Sequence, residues 1–119
     1  MGTIKNFEDL DVWKMSRELV NFIYSDFRKC RDFSFKDQIC RAGISTMNNI
    51  SEGFCRNSDA EFRHFLNISK GSAGEVKSMY YIAEDQKCVD SETSADRRNK
   101  AQKLINGNGS LMKYLKSGK

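Results

Sequence analysis

No proline occurs anywhere in the 119 residues. A proline inside a helix removes a hydrogen bond and clashes with the preceding turn. A chain without one can run long helices, and their ends must be set by caps and polar connectors. The apolar residues recur at steps of three and four and rarely alternate, which is the helical period. The predicted fold class is therefore all-α: an antiparallel up-down-up-down four-helix bundle in a single domain spanning residues 1–119. The short connectors between segments make consecutive helices antiparallel neighbours. Hydrophobic residues at 39% and charged residues at 30% suit a globular chain that needs no disulfide support.

Four helical segments are predicted, over residues 7–28, 35–56, 58–87 and 91–117. The first carries two adjacent apolar stripes, Val12-Met15-Leu19-Phe22 and Trp13-Val20-Ile23-Phe27, a face wider than a coiled-coil seam. In the second, Ser34 followed by Asp37 reads as an N-cap, and Ile39, Gly43, Met47, Ile50 and Phe54 line one face. The third opens on Ser58-Asp59-Ala60-Glu61, the pattern of a capping box. Behind it Phe62, Phe65, Ser69, Ser72, Val76, Met79 and Ala83 form a heptad stripe. The fourth segment is weaker in pattern. Asn106-Gly107-Asn108-Gly109 falls within it, and Gly-Asn clusters favour turns, so the sequence leaves open whether the helix is continuous there.

Several functional classes lack their residues. There is no apolar run long enough to span a membrane and no apolar N-terminal leader, so the expected location is cytoplasmic. The four cysteines, Cys30, Cys40, Cys55 and Cys88, contain no CxxC pair, and the chain has one histidine. They read as reduced thiols, and no metal site is expected. Glu61-Phe62-Arg63-His64 is an ExxH, but a di-iron bundle needs two such motifs and one histidine cannot supply both. No elbow, glycine-rich phosphate loop or paired catalytic group accompanies His64, so no catalytic residue and no cofactor is assigned.

Two features remain. Arg41, Asn48, Asn49 and Glu52 in the second segment, and Ser69, Ser72 and Glu75 in the third, set polar groups among apolar ones. Buried polar groups must pair, so an interhelical or intersubunit network is the first reading and a ligand-binding cluster the second. The charge is also uneven. Residues 1–96 hold 13 Lys/Arg against 16 Asp/Glu, whereas residues 97–119 hold seven cations and no acid. Arg97, Arg98, Lys100, Lys103, Lys113 and Lys116 are the candidate nucleic-acid contacts, made to phosphates because aromatic interleaving is poor. A solvated helix face complementing the C-terminal dipole accounts for the same charges equally well.

The run RAGISTMNNISEG at residues 41–53 is followed by Arg56, Ser58, EFRHFLNISKGS at residues 61–72, and Glu75-Val76. Phe7-Glu8-Asp9-Leu10, Val12-Trp13-Lys14 and Gln38-Ile39 precede it. Over about residues 4–85 the chain resembles the bacterial four-helix-bundle family first noted as open reading frames in intervening sequences of 23S ribosomal RNA genes. The resemblance implies a ring-like homopentamer. It also implies roles for the polar residues Arg41, Asn49, Glu52, Ser72 and Glu75. A relative, the accessory variability determinant protein of diversity-generating retroelements, binds a reverse transcriptase and nucleic acid. Met47 stands where the family usually has proline, which implies a straighter second helix. The expected function is thus a non-enzymatic oligomeric binding protein. As an adaptor it would carry RNA or DNA for a nucleic-acid enzyme such as a reverse transcriptase. The alternative is a purely protein-binding scaffold.

Overall fold

A computed structural model describes residues 4–117. Four α-helices follow in order: α1 Asp11–Asp26, α2 Phe33–Phe54, α3 Asp59–Asp85 and α4 Ser91–Lys116. Each helix packs on its neighbours in sequence, and α4 closes back onto α1. The diagonal pairs do not approach through their backbones. This is the up-down-up-down bundle, elongated at 45 × 20 × 19 Å.

The helix starts follow from local chemistry. Phe7–Asp9 is a separate 3-10 turn, so α1 begins four residues later than the periodicity suggested. Leu10 between them is extended. That kink lets Leu10 enter the core and sets the Phe7 ring 5.3 Å from the Trp13 ring. The N-cap of α2 is Asp32, not Ser34: its carboxylate accepts from the Phe35 N–H at 3.1 Å. Ser58 caps α3 as expected, accepting from the Glu61 N–H at 3.1 Å. Asp90 caps α4 through the Thr93 N–H at 2.7 Å. With methionine at position 47, α2 runs unbroken.

The fourth helix lies where the sequence predicts it, and the point left open is settled: α4 runs without interruption through Asn106-Gly107-Asn108-Gly109. Burial overrides the local turn preference here. Asn108 is fully buried and donates to the Ser69 hydroxyl at 3.0 Å. Ser69 in turn donates to the Thr46 carbonyl at 2.8 Å. One polar string therefore crosses the core from α4 through α3 to α2. Gly107 lets α4 approach α1: a Cβ there would lie 3.0 Å from Val12 Cγ1.

The core is formed by Leu19, Ile23 and Phe27 of α1, Ile39 and Ile50 of α2, Leu66, Val76 and Tyr80 of α3, and Ala101 and Leu104 of α4. Each large side chain among them contributes about 1.5–3 kcal/mol through burial. The buried face of α3 keeps Phe62, Ser69, Val76, Met79 and Ala83 of the predicted stripe and widens to one side of it. Leu66, Ala73 and Tyr80 are fully buried, while Phe65 and Ser72 are only half-buried. That widening follows from α3 burying itself against α4 as well as α2.

Candidate functional site

The polar residues of α2 and α3 meet along one seam. The Ser45 and Ser72 hydroxyls are 2.8 Å apart. Asn49 donates to the Ser45 carbonyl at 2.9 Å and to its hydroxyl at 3.0 Å. Further along the same seam, Gln38 donates to Glu75 at 3.2 Å. Asn49 and Ser72 are thus joined through Ser45. Arg41 and Glu52 lie outside this cluster. Each closes an exposed local pair, Arg41 with Asp37 inside α2 at 2.9 Å and Glu52 with Arg56 just beyond its end at 2.7 Å. Such pairs contribute about 0.3–0.5 kcal/mol.

The basic residues of α4 divide into two groups. Arg97, Arg98 and Lys100 are held by acids of the protein itself. Arg97 makes two hydrogen bonds to Asp26, at 2.8 and 2.9 Å, and a third to Asp96 at 2.7 Å. Its guanidinium also lies 3.9 Å over the Phe22 ring. The Tyr80 hydroxyl donates to the same Asp26 carboxylate at 2.7 Å. Burial, and then this hydrogen bond to a carboxylate, push the Tyr80 phenol far above its ordinary range. Arg97 is likewise held cationic, first by its hydrogen bonds to Asp26. Arg98 reaches Glu84 at 3.3 Å and covers the Tyr81 ring at 4.1 Å. Lys100 lies 3.6 Å from Asp96.

Lys103, Lys113 and Lys116 are exposed and form no ion pair among the described residues. Lys103 points outward from α4, whereas Lys113 and Lys116 border α3. Three cations of α3, outside the C-terminal charge run, also face α4 along this seam. Arg63 donates to the Leu115 carbonyl at 3.4 Å, and Lys77 donates to Gln102 at 2.7 Å. Lys70 ends 4.0 Å from where a Cβ on Gly109 would stand. Arg63, His64, Asn67, Met112, Lys113 and Lys116 line one groove at the end of the bundle. The signal was present in the sequence: Arg63, Lys70 and Lys77 are seven residues apart, which places them on one helix face about 10.5 Å apart.

From Arg63 to Lys77, α3 carries a single acid, Glu75, and it turns to Gln38 on α2. From Arg97 to the end, α4 carries none. The α3–α4 seam is therefore continuously cationic over this stretch. Glu61 of the ExxH is held in the cap of α3 and lies 4.0 Å from Arg56. No group of three metal-ligating side chains occurs among the described residues. The four cysteines are free. Cys30 and Cys88 lie in the connectors at one end, where the Cys30 thiol donates to the Asp32 carbonyl at 3.7 Å; burial first, and then the neighbouring Cys30, raise the Cys88 thiol. No helix among the described residues is long and apolar enough to cross a membrane.

Fold and seams together define an all-α four-helix-bundle protein whose polar and charged side chains are ordered along two interhelical seams. The sequence model of the 23S rRNA-intervening sequence protein family matches residues 8–108, and the chain belongs to that family. It is also similar to a crystal structure of a protein with unknown function from the S23 ribosomal protein family of Bacteroides thetaiotaomicron VPI-5482. The TM-score is 0.80 at 24% identity, over 86% of this chain and 98% of that one. At that identity the likeness shows the fold alone. No curated protein matches the chain.

Proposed function

We propose that the protein is a non-enzymatic, cytoplasmic adaptor that binds RNA or DNA through phosphate contacts along the α3–α4 seam. The observation carrying this reading is the file of cations along the seam: Arg63 with Lys113 and Lys116 in the end groove, then Lys70 beside Gly109 and Lys77 beside Gln102. Contacts of this kind hold the backbone and carry no sequence information. Lys103 extends the charge onto the outer face of α4. A ring of five copies, which the family resemblance implies, would repeat the seam and raise its apparent affinity. The nucleic-acid enzyme served by such an adaptor would be a polymerase such as a reverse transcriptase.

The test is fluorescence anisotropy with single- and double-stranded oligonucleotides at about 50 mM salt, where phosphate contacts are strong. Binding should weaken with salt along a log–log line. For a duplex, each lost phosphate contact should lower the slope by about 0.9. Lys70→Gln, Lys77→Gln, Lys113→Gln and Lys116→Gln together should abolish binding while leaving helicity unchanged. No binding by the wild-type protein would overturn the reading.

A purely protein-binding scaffold is the second reading. It is favoured by Tyr24 and Phe33, 47% and 71% exposed, which line one groove at the α1–α2 end. Exposed apolar surface of that kind marks protein contacts. Light scattering at micromolar concentration tests the oligomer in either case: a monomer mass removes the pentamer.

A further inference from the structure

We infer that the groove at the bundle end, between the start of α3 and the end of α4, is an anchoring site for a terminal phosphate of a nucleic-acid strand. The inference rests on the proposed phosphate-binding role of the seam and assigns one part of it a distinct ligand.

Along most of the seam, cations are met singly. Lys70 and Lys77 stand about 10.5 Å apart on α3, which suits the single negative charge of each phosphodiester. At the bundle end the pattern changes. Arg63 from α3 and Lys113 and Lys116 from α4 converge on one groove of about 500 Å³, with His64 and Asn67 adding polar atoms and Met112 an apolar wall. No carboxylate lies within 4 Å of these cations among the described residues, although Arg97, Arg98 and Lys100 of the same α4 are each held by one. The Arg63 contact to the Leu115 carbonyl directs its guanidinium across the seam and engages one of its five donors.

Three full positive charges in one groove exceed what a diester needs. A terminal phosphomonoester carries about −1.5 to −2 at neutral pH and three acceptor oxygens. Arginine recognises such a group through paired N–H donors, and lysine adds point charge. The groove also lies at the end of the seam. A strand whose terminal phosphate sits there passes next to Lys70 and then Lys77.

The test compares short RNA and DNA oligonucleotides carrying a 5′-phosphate, a 3′-phosphate or neither, by anisotropy against the full chain. A terminal phosphate on one end should tighten binding on the order of tenfold, as one or two added charge-assisted hydrogen bonds would. The RNA and DNA arms show which strand supplies it. Lys113→Gln with Lys116→Gln, both at exposed positions, should erase the preference while keeping residual binding through Lys70 and Lys77. Arg63→Gln should do the same and, because it touches the end of α4, is read beside a thermal melt. Equal affinity for phosphorylated and unphosphorylated strands would overturn the inference and leave the seam reading standing. A preference that survives Lys113→Gln/Lys116→Gln would also overturn it, by placing the phosphate elsewhere. No binding of any strand would remove both.

Discussion

Arg97 and Asp26, 71 residues apart, face each other in a two-bond contact that ties the start of α4 to the end of α1. Both side chains are mostly out of solvent, at 16% and 8% exposure. Tyr80 completes the set from α3, so three helices share one carboxylate. Removing one partner of a buried pair leaves the other charged and unsatisfied. Asp26→Ala should therefore cost roughly 3 kcal/mol in urea denaturation. Substituting Arg97 should likewise lower stability, so loss of nucleic-acid binding in an Arg97 variant would report on the fold as well as on the surface.

The same cluster gives the protein an alkaline limit. Tyr80 is an acid whose folded-state pKa is raised, by burial first and the Asp26 carboxylate second. The folded state then keeps a proton that the unfolded state releases near pH 10. Stability is fully present below that pH and falls as pH rises above it, with a limiting slope of about 1.4 kcal/mol per pH unit. Equilibrium unfolding between pH 8 and 12 should show this decline. Tyr80→Phe should flatten it, while lowering stability at neutral pH by about 1.5 kcal/mol for the lost bond to a charged group. An unchanged alkaline slope in the variant would exclude Tyr80 as its source.

Lys87 adopts a left-handed backbone, with φ of 63°. It follows α3 in a position where the Cys88 N–H reaches the Ala83 carbonyl at 2.8 Å and the Lys87 N–H reaches Glu84 at 3.0 Å. This is the helix-ending geometry that glycine fills without steric cost. Lys87→Gly should stabilise the protein by about 1 kcal/mol, seen as a higher denaturation midpoint at unchanged slope.

What the sequence disclosed depended on how local the deciding interaction was. The Ser58 cap was legible because its partner stands three residues away. Four helices were legible because their apolar periodicity repeats over many turns. Leu10, Asn108 and Arg97 were not. The Leu10 kink exists to bury a side chain. The Asn106–Gly109 run stays helical because Asn108 has a partner on α3. Arg97 reads as a surface cation until Asp26 is brought beside it. In the candidate site, the cationic stripe on α3 was spaced to be seen but lay outside the segment with the largest net charge. The join between Asn49 and Ser72 needed Ser45, which spacing alone did not single out.

The glycines separate packing from propensity in one experiment. A Cβ on Gly53 would stand 2.7 Å from Phe65 Cβ and 3.3 Å from the Phe62 carbonyl oxygen. These groups belong to the first turns of α3 and cannot yield without moving that helix. Gly71 and Gly74 sit within α3, and a Cβ on either would meet nothing within 4 Å. An interior helical glycine costs about 0.5–1 kcal/mol against alanine. Gly71→Ala and Gly74→Ala should each raise stability by about that amount, whereas Gly53→Ala should lower it by about 1–3 kcal/mol through overpacking. Thermal melts of the three variants check the opposite signs. A stabilised Gly53→Ala protein would mean that α2 and α3 do not meet as closely as the structure places them.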